Sequence, residues 1–93
     1  MNKIIFKESF TIQEAFILQM PAHAVILKIA YLDGVPTMWY SFDLKETYET
    51  AVNRYFMGVG TGNAFTEESG CQYIETLVEY TNGAIWHIFE VAP

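Results

Sequence analysis

The sequence predicts an all-β fold, mainly antiparallel, with about seven strands arranged as a Greek-key sandwich or a small barrel. Two turn dipeptides carry this prediction. Asp33-Gly34 and Asn82-Gly83 each separate two apolar, aromatic-rich runs. Both pairs tolerate the positive φ angles that two-residue hairpin turns require. We therefore expect β-hairpins over about 24–42 and 71–91.

Short alternating runs predict the first strands. Residues 3–7 are expected to form one strand, and residues 15–20 a second that stops at Pro21, because the residue before a proline favours extended geometry. Pro36 follows the first turn dipeptide and lacks an N–H group. It is therefore expected at the start of its strand or facing solvent.

The third strand is apolar on both sides. Val25, Leu27, Ile29 and Tyr31 are expected on one face, since strand side chains alternate. Only Lys28 interrupts the apolar residues of the other face. Such a strand is normally central in a sandwich or buried in a subunit interface.

One segment leaves the choice between helix and strand open, and a second predicts a short helix. Apolar residues within 48–57 fit helical spacing, but the threonines and aromatic residues there favour a strand, which we prefer. Residues 65–69 indicate one short helix, with Thr66 as its cap, two acidic residues near its positive end and Gly70 ending it.

Composition limits the class of protein. The chain has 93 residues, 52% of them apolar, which predicts a single β domain over residues 1–93 with an ample core. No apolar run approaches the ~20 residues needed to cross a bilayer. We expect a cytoplasmic protein without membrane contact. The net charge of −6 and the scattering of the five basic residues argue against nucleic-acid binding.

Candidate catalytic and metal-binding residues are few. His23 and His87 have no second histidine or cysteine within a few positions, whereas a zinc site needs a cluster of ligands. The single cysteine, Cys71, lacks a neighbouring histidine or cation that would stabilise a thiolate. We therefore expect a protein that is not an enzyme, with no metal and no cofactor.

A glycine-rich loop is the first candidate for a ligand site. Gly60, Thr61, Gly62 and Asn63 offer N–H and side-chain donors, and Arg54 on the preceding strand offers a fork suited to phosphate or carboxylate. The loop matches neither a P-loop nor a dinucleotide fingerprint. A structural turn is the more frequent explanation of such a loop, and ligand binding is the alternative.

The aromatic residues are the second candidate. Most are expected in the core, but alternation sends Trp39 and Tyr40 to opposite faces, and it does the same for Tyr73 and its neighbour. Exposed aromatic residues mark interfaces. The predicted interface residues are Trp39, Tyr40, Tyr73 and Trp86.

The order of these features resembles a family of short, uncharacterised proteins found mainly in tailed bacteriophages. The likeness covers most of the chain, and its most specific parts are Gly34-Val35-Pro36-x-x-Trp39, Gly60-Thr61-Gly62 and His87-x-Phe89-Glu90-Val91. The usual Leu-Pro-x-Gly turn of the family is replaced here by Met20-Pro21-Ala22-His23. The resemblance implies an accessory protein that acts on host machinery, and it transfers no site residue.

These observations lead to one functional hypothesis and one alternative. The hypothesis is a non-enzymatic, homo-oligomeric binding module in the cytoplasm of a host cell. It would counter host defence by sequestering a small, nucleotide-like signal molecule or by masking a host protein. The alternative is a phage structural or assembly protein that acts through subunit contacts.

Overall fold

The computed structural model describes residues 2–45, 51–79 and 81–92, and its regular structure there is entirely β-strand. In chain order the strands are β1 (Lys3–Ser9), β2 (Phe16–Pro21), β3 (Val25–Leu32), β4 (Val35–Asp43), β5 (Ala51–Gly60), β6 (Gln72–Val78) and β7 (Ile85–Val91). Every strand pair is antiparallel. The predicted all-β, antiparallel fold with seven strands is confirmed. No helix in these described ranges is long and apolar enough to cross a membrane.

The strands form two sheets that pack face to face. A three-stranded sheet has the order β1-β4-β3, and a four-stranded sheet has the order β2-β5-β7-β6. The inner faces of both contribute to one core, whose members are Phe10, Phe16, Met20, Ala24, Ile29, Met38, Tyr40, Phe42, Phe56, Leu77 and Ile88. Burial of these side chains, at about 1.5–3 kcal/mol for each large one, is the main force that holds the sheets together. Two architectures were predicted, a sandwich and a small barrel, and the structure shows the sandwich.

The β3–β4 hairpin confirms the first turn prediction. Asp33 and Gly34 have φ angles of +51° and +79°, and the strands pair up to Leu32 and Val35. Positive φ at both central positions defines the type I′ turn, whose twist matches that of the flanking strands. Pro36 is the second residue of β4, beyond the last residue that pairs with β1, so its missing N–H interrupts no bond to that strand.

The β6–β7 hairpin is also confirmed, but its turn is longer than the two residues predicted. Glu79 N–H donates to the Ala84 carbonyl at 2.8 Å, so the strands separate before Asn82 is reached. Of Asn82 and Gly83, only Gly83 has a positive φ, +72°. The Asn82 side chain instead accepts a hydrogen bond from Ala84 N–H at 2.9 Å, which stabilises the wider turn locally.

Of the two positions expected for β3, the one at the centre of the sandwich is wrong, and burial in a subunit interface stays a prediction. The strand lies at an edge of its sheet, and the register shifts between Ile26 and Lys28. This β-bulge ends the simple alternation, so Val25 lies on the opposite face from Ile29. Leu27, at the bulge, is 51% exposed.

The predicted helix over 65–69 is absent. The Phe65 ring packs on Phe89 at a centroid distance of 5.1 Å, and Cys71 N–H donates to the Glu68 carbonyl at 3.0 Å to close a turn. Gly70 in that turn has φ +85°, so the left-handed geometry expected of it is present without the helix that it would have ended. A five-residue helix gains too few hydrogen bonds to offset nucleation. The tertiary contact of Phe65 therefore determines the local structure.

The preferred strand assignment for 48–57 is confirmed over the part that the structure describes. β5 runs from Ala51 to Gly60, and residues 48–50 lie outside the described ranges. β1 extends two residues beyond the predicted 3–7. β2 includes Pro21 as its last residue, which an edge strand tolerates because one side of it has no partner.

Candidate functional site

The glycine-rich loop is a tight turn whose backbone donors are largely used within the protein. Asn63 N–H donates to the Gly60 carbonyl at 3.0 Å, and Thr61 N–H donates to the Ile85 carbonyl at 3.1 Å. Gly62 has φ +91°, where a side chain would be strained. Two of the donors that a ligand would need are therefore already satisfied.

Gly58, just before this loop, is required by a close backbone approach. Its N–H donates to the Gln13 carbonyl at 3.0 Å, and a Cβ at this position would lie 2.7 Å from the same oxygen. That distance is shorter than any normal contact, so a larger residue would push the segment before β2 away. Packing thus explains the glycine at position 58, and turn geometry explains the glycine at position 62.

Arg54 is held in an internal ion pair. Its Nε and Nη2 atoms donate to the two carboxylate oxygens of Glu90, each at 2.6 Å, and Nη1 donates to the Ala24 carbonyl at 2.6 Å. The two charged side chains are only 15% and 21% exposed. This bidentate pair ties β5 and β7 to the start of β3.

The structure does not bring Arg54 and the glycine loop together. Arg54 and Gly60 are six residues apart on β5, a separation of about 20 Å along an extended strand. No single small ligand of ordinary size contacts both ends of this strand. The five predicted ligand-binding residues therefore belong to two separate regions.

The four predicted interface residues have different environments. Tyr40 is fully buried in the core, so its ring forms no surface. Trp86 is half-buried and packs against the core cluster. Tyr73 is 53% exposed on the outer face of the four-stranded sheet. Trp39 is half-buried and lies on the outer face of the three-stranded sheet, since its neighbours Met38 and Tyr40 point into the core.

The outer face of the four-stranded sheet is partly covered by the chain itself, and we call it the loop face. The segment 61–71 crosses it and places the Phe65 ring on Phe89, while Tyr73 meets Phe89 edge-on at 5.7 Å. His87 lies between two threonines on this face, with Nε2 2.8 Å from Thr61 Oγ1 and Nδ1 3.0 Å from Thr76 Oγ1. Both ring nitrogens are thereby hydrogen-bonded, as expected for a structural histidine.

Cys71 lies at the end of the segment that crosses the loop face. Burial, together with the nearby carboxylates of Glu67 and Glu68, raises the pKa of its thiol. The raised pKa disfavours the thiolate that a nucleophile requires. Within the described ranges, no three His, Cys, Asp or Glu residues are placed to hold a metal ion.

The outer face of the three-stranded sheet has a different character, and we call it the basic face. Trp39 at its centre is paired with Lys7 of β1 on one side and with Lys28 of β3 on the other. Neighbouring strands are about 4.8 Å apart, so the two lysine backbones stand about 10 Å apart across the indole. Both lysines are exposed. Trp39 and the two lysines thus form one row across the sheet.

The next rows add apolar surface and a third lysine. Ile5, Ser41 and Val25 form the adjacent row, in which Ile5 is 62% and Val25 52% exposed. Lys3 pairs with Asp43 in the row beyond. The basic face therefore carries three of the chain's five basic residues on a protein of net charge −6.

The sequence predicted Trp39 as an interface residue but gave no indication that two lysines lie beside it. Lys7 and Lys28 are 21 positions apart in the sequence, and only the pairing of β1 and β3 with β4 aligns them. One signal was present for the direction of Lys28 alone. Lys28 interrupts an otherwise apolar run, as a residue does when it marks the solvent side of a strand.

Residues 1–93 match the family described as Domain of unknown function (DUF7352). The chain belongs to this family. The predicted membership in an uncharacterised family is confirmed to that extent, and the match covers the whole chain. No curated protein and no solved structure matches the sequence.

Proposed function

We propose that this member of the family is a non-catalytic binding module whose working surface is the basic face. Its partner is a protein that presents acidic side chains around an apolar centre. The observation that carries the proposal is the row Lys7–Trp39–Lys28 on an exposed sheet face of an otherwise acidic protein. This is the protein-masking form of the hypothesis drawn from the sequence.

The apolar residues of the basic face supply the driving force for binding. Ile5 and Val25 expose 62% and 52% of their surface, and Trp39 lies beside them in the adjacent row. Full burial of such side chains is worth about 1.5–3 kcal/mol each. Tryptophan is also among the residues that dominate measured interface energies. A partner that covers this face gains most of its affinity at these positions.

The lysines determine which partner is accepted. The ammonium groups of Lys7 and Lys28, beside Trp39, attract carboxylates and repel a basic surface, whereas Lys3 lies opposite Asp43. Like charges brought together cost several kcal/mol. A second copy that docked through the same face would bring lysines against lysines. The basic face therefore favours an acidic protein over a copy of itself. The predicted homo-oligomer stays a separate proposal that needs another surface.

The nucleotide-sequestering form of the hypothesis has weaker support. It relied on Arg54 and Gly60–Asn63 as one pocket, whereas Arg54 is paired with Glu90 at the other end of β5. The proposal of a non-catalytic role is supported by His87, whose ring nitrogens both have hydroxyl partners, and by the raised pKa of the Cys71 thiol.

The biological setting is part of the proposal. The resemblance to short proteins of tailed bacteriophages suggests that the acidic partner is a host defence protein in the cytoplasm of an infected cell. A structural or assembly role in the virion, through the same face, is the alternative. Mass spectrometry of purified particles separates the two, because an assembly protein is retained in the particle and a masking protein is not.

Zero-length cross-linking tests the proposed surface directly. A carbodiimide joins a lysine to a carboxylate only at salt-bridge distance, so it reports which lysines meet an acidic partner. The tagged protein is treated in an extract of cells that express its gene, and the cross-linked peptides are identified by mass spectrometry. The proposal predicts cross-links from Lys7 or Lys28 to aspartate or glutamate of one partner.

Two variants with the same charge change provide the control. Lys28→Glu lies on the basic face, whereas Lys45→Glu follows the end of β4 and lies outside the Trp39 row. We expect Lys28→Glu to weaken capture of the partner by about tenfold or more, and Lys45→Glu to leave it nearly unchanged. Equal effects of the two variants would contradict the proposal.

A further inference from the structure

A groove of about 510 Å³ lies on the loop face, away from the basic face. Its volume falls within the range of about 300–1,000 Å³ that small-molecule sites occupy. We call it the apolar groove. Its lining residues used below are Glu14, Ala15, Ile17, Tyr55, Met57, Glu68, Cys71 and Val91.

The floor of the groove is a row of side chains across three strands. Ile17 of β2 pairs with Tyr55 of β5, and Tyr55 pairs with Val91 of β7. Phe56, the neighbour of Tyr55, is buried in the core, so this row points outward. Ile17 is 53% and Tyr55 37% exposed. The floor is thus apolar, rigidly held by strand pairing, and accessible.

The wall of the groove comes from the segment that crosses the loop face. Glu68 and Cys71 of this segment line the groove, as does Glu14, which precedes β2. The turn closed by the Cys71 N–H to Glu68 carbonyl bond holds this wall in place. The groove therefore combines an apolar floor with two carboxylates at its sides.

The charged side chains that line the groove are all acidic in the described part of the chain. Of the described lining residues, two are glutamates and none is lysine or arginine. The raised pKa of the Cys71 thiol, caused first by burial and then by Glu67 and Glu68, is consistent with a negative potential at this wall. An anionic ligand would meet carboxylates that have no ion-pair partner among the described residues, whereas a cation would find partners.

We propose that the apolar groove binds a small apolar molecule that carries one protonated amine. The hydrocarbon or ring body of the ligand lies on Ile17, Tyr55 and Val91, and its ammonium group lies near Glu14 and Glu68. The Tyr55 ring adds a cation–π surface for the same group. This site is independent of the proposed protein-binding function, because it lies on the opposite sheet.

Three probes with one common body test the assignment of charge. These are 3-phenylpropylamine, 3-phenylpropan-1-ol and 3-phenylpropanoate, which carry a positive, a neutral and a negative group on the same apolar chain. Binding is measured by ¹H–¹⁵N chemical-shift titration, with shifts expected at Ile17, Tyr55, Met57 and Cys71. We expect the amine to bind about tenfold or more tightly than the carboxylate, with the alcohol between them. Higher salt should weaken amine binding and leave alcohol binding nearly unchanged.

Paired variants locate the binding site. Ala15→Trp fills the groove and should abolish binding of all probes, whereas Ala22→Trp, in the turn after β2, is the control of equal size. Glu14→Gln with Glu68→Gln should weaken the amine and leave the alcohol unchanged. Glu67→Gln, on the same segment but outside the lining, should have a smaller effect on the amine. These charge variants keep the test decisive if Ala15→Trp fails to fold.

Three results would overturn the inference. They are equal affinity for amine and carboxylate, shifts that map away from the groove, and the absence of binding of every probe at millimolar concentration. The variant Lys7→Glu/Lys28→Glu distinguishes this site from the proposed protein-binding surface. It should bind the amine as the wild type does, even if it loses the acidic partner.

Discussion

The two outer faces of the sandwich treat exposed apolar surface in opposite ways. On the loop face, the segment 61–71 folds back so that Phe65 covers Phe89. On the basic face, Ile5 and Val25 stay exposed beside a tryptophan and three lysines. The comparison separates two uses of aromatic and aliphatic residues in one small chain. Phe65 and Phe89 on the loop face pack on each other and stabilise the fold, whereas Ile5 and Val25 on the basic face are available to a partner.

The comparison predicts the largest stability loss on the loop face. Phe89→Ala removes the ring that contacts both Phe65 and Tyr73, so we expect a loss of about 2–3 kcal/mol in the free energy of unfolding. Ile5→Thr on the basic face keeps a β-branched side chain and should change it by less than about 0.5 kcal/mol. Urea denaturation monitored by tryptophan fluorescence measures both. Similar losses for Phe89→Ala and Ile5→Thr would contradict the distinction between a stabilising loop face and a freely exposed basic face.

A smaller effect is expected when the covering residue itself is truncated. Phe65→Ala should cost about 1 kcal/mol, because Phe65 is 46% exposed and contributes only part of its ring to the contact. The local consequence is more specific than the global one. Hydrogen exchange should accelerate at Thr61, Asn63 and Cys71, whose amides are bonded in the crossing segment. Faster exchange in β1 and β3 instead would show that the segment supports the whole sandwich.

The smallest effect on stability is expected in the edge strand β1, whose two sides have different roles. Lys7 faces outward, whereas the next residue, Glu8, turns inward, and its Oε2 atom is buried without a hydrogen-bond donor in the described part of the chain. Burial raises the pKa of Glu8 above its ordinary value of 4.5. An inward charge on an edge strand also discourages pairing with other chains.

The sign of the pH effect follows from this raised pKa. As pH rises from below 4.5, the unfolded chain loses the Glu8 proton before the folded protein does, so stability falls until the folded carboxyl has also ionised. Glu8→Gln should therefore raise the free energy of unfolding at pH 7 by up to about 1 kcal/mol. This is near the low end of the usual cost of burying a polar group without a partner, because Glu8 is only partly buried. At pH 3.5 the gain should vanish. The exposed variant Glu67→Gln is the control, and a gain equal at both pH values would contradict the explanation.

Local signals in the sequence predicted the fold. The residues that meet at the candidate sites could not be predicted, because they depend on pairing between distant strands. Asp33-Gly34 placed a hairpin because a type I′ turn needs two specific residues and little else. The bulge between Ile26 and Lys28 was not predictable from alternation, since alternation assumes a regular strand. The ion pair of Arg54 with Glu90 joins residues 36 positions apart, so no local pattern indicated it.

The basic face illustrates the same limit. Trp39 and Tyr40 were predicted to lie on opposite faces of the sheet because neighbouring strand residues alternate. The structure confirms this, since Tyr40 is buried in the core. The row Lys7–Trp39–Lys28 requires the registers of two strand pairs to be known at once. A shift of one register by one residue would move Lys7 or Lys28 away from the indole.

The central claim is that the basic face binds an acidic partner, and the affinity of that partner for paired charge variants tests it most directly. The partner recovered by cross-linking is titrated with wild type, Lys7→Glu/Lys28→Glu and Lys45→Glu, all checked for equal stability. The account predicts a loss of about 100-fold for the double variant, an affinity near wild type for Lys45→Glu, and weaker wild-type binding at high salt. Unchanged affinity of the double variant, with the partner still bound at high salt, would contradict it.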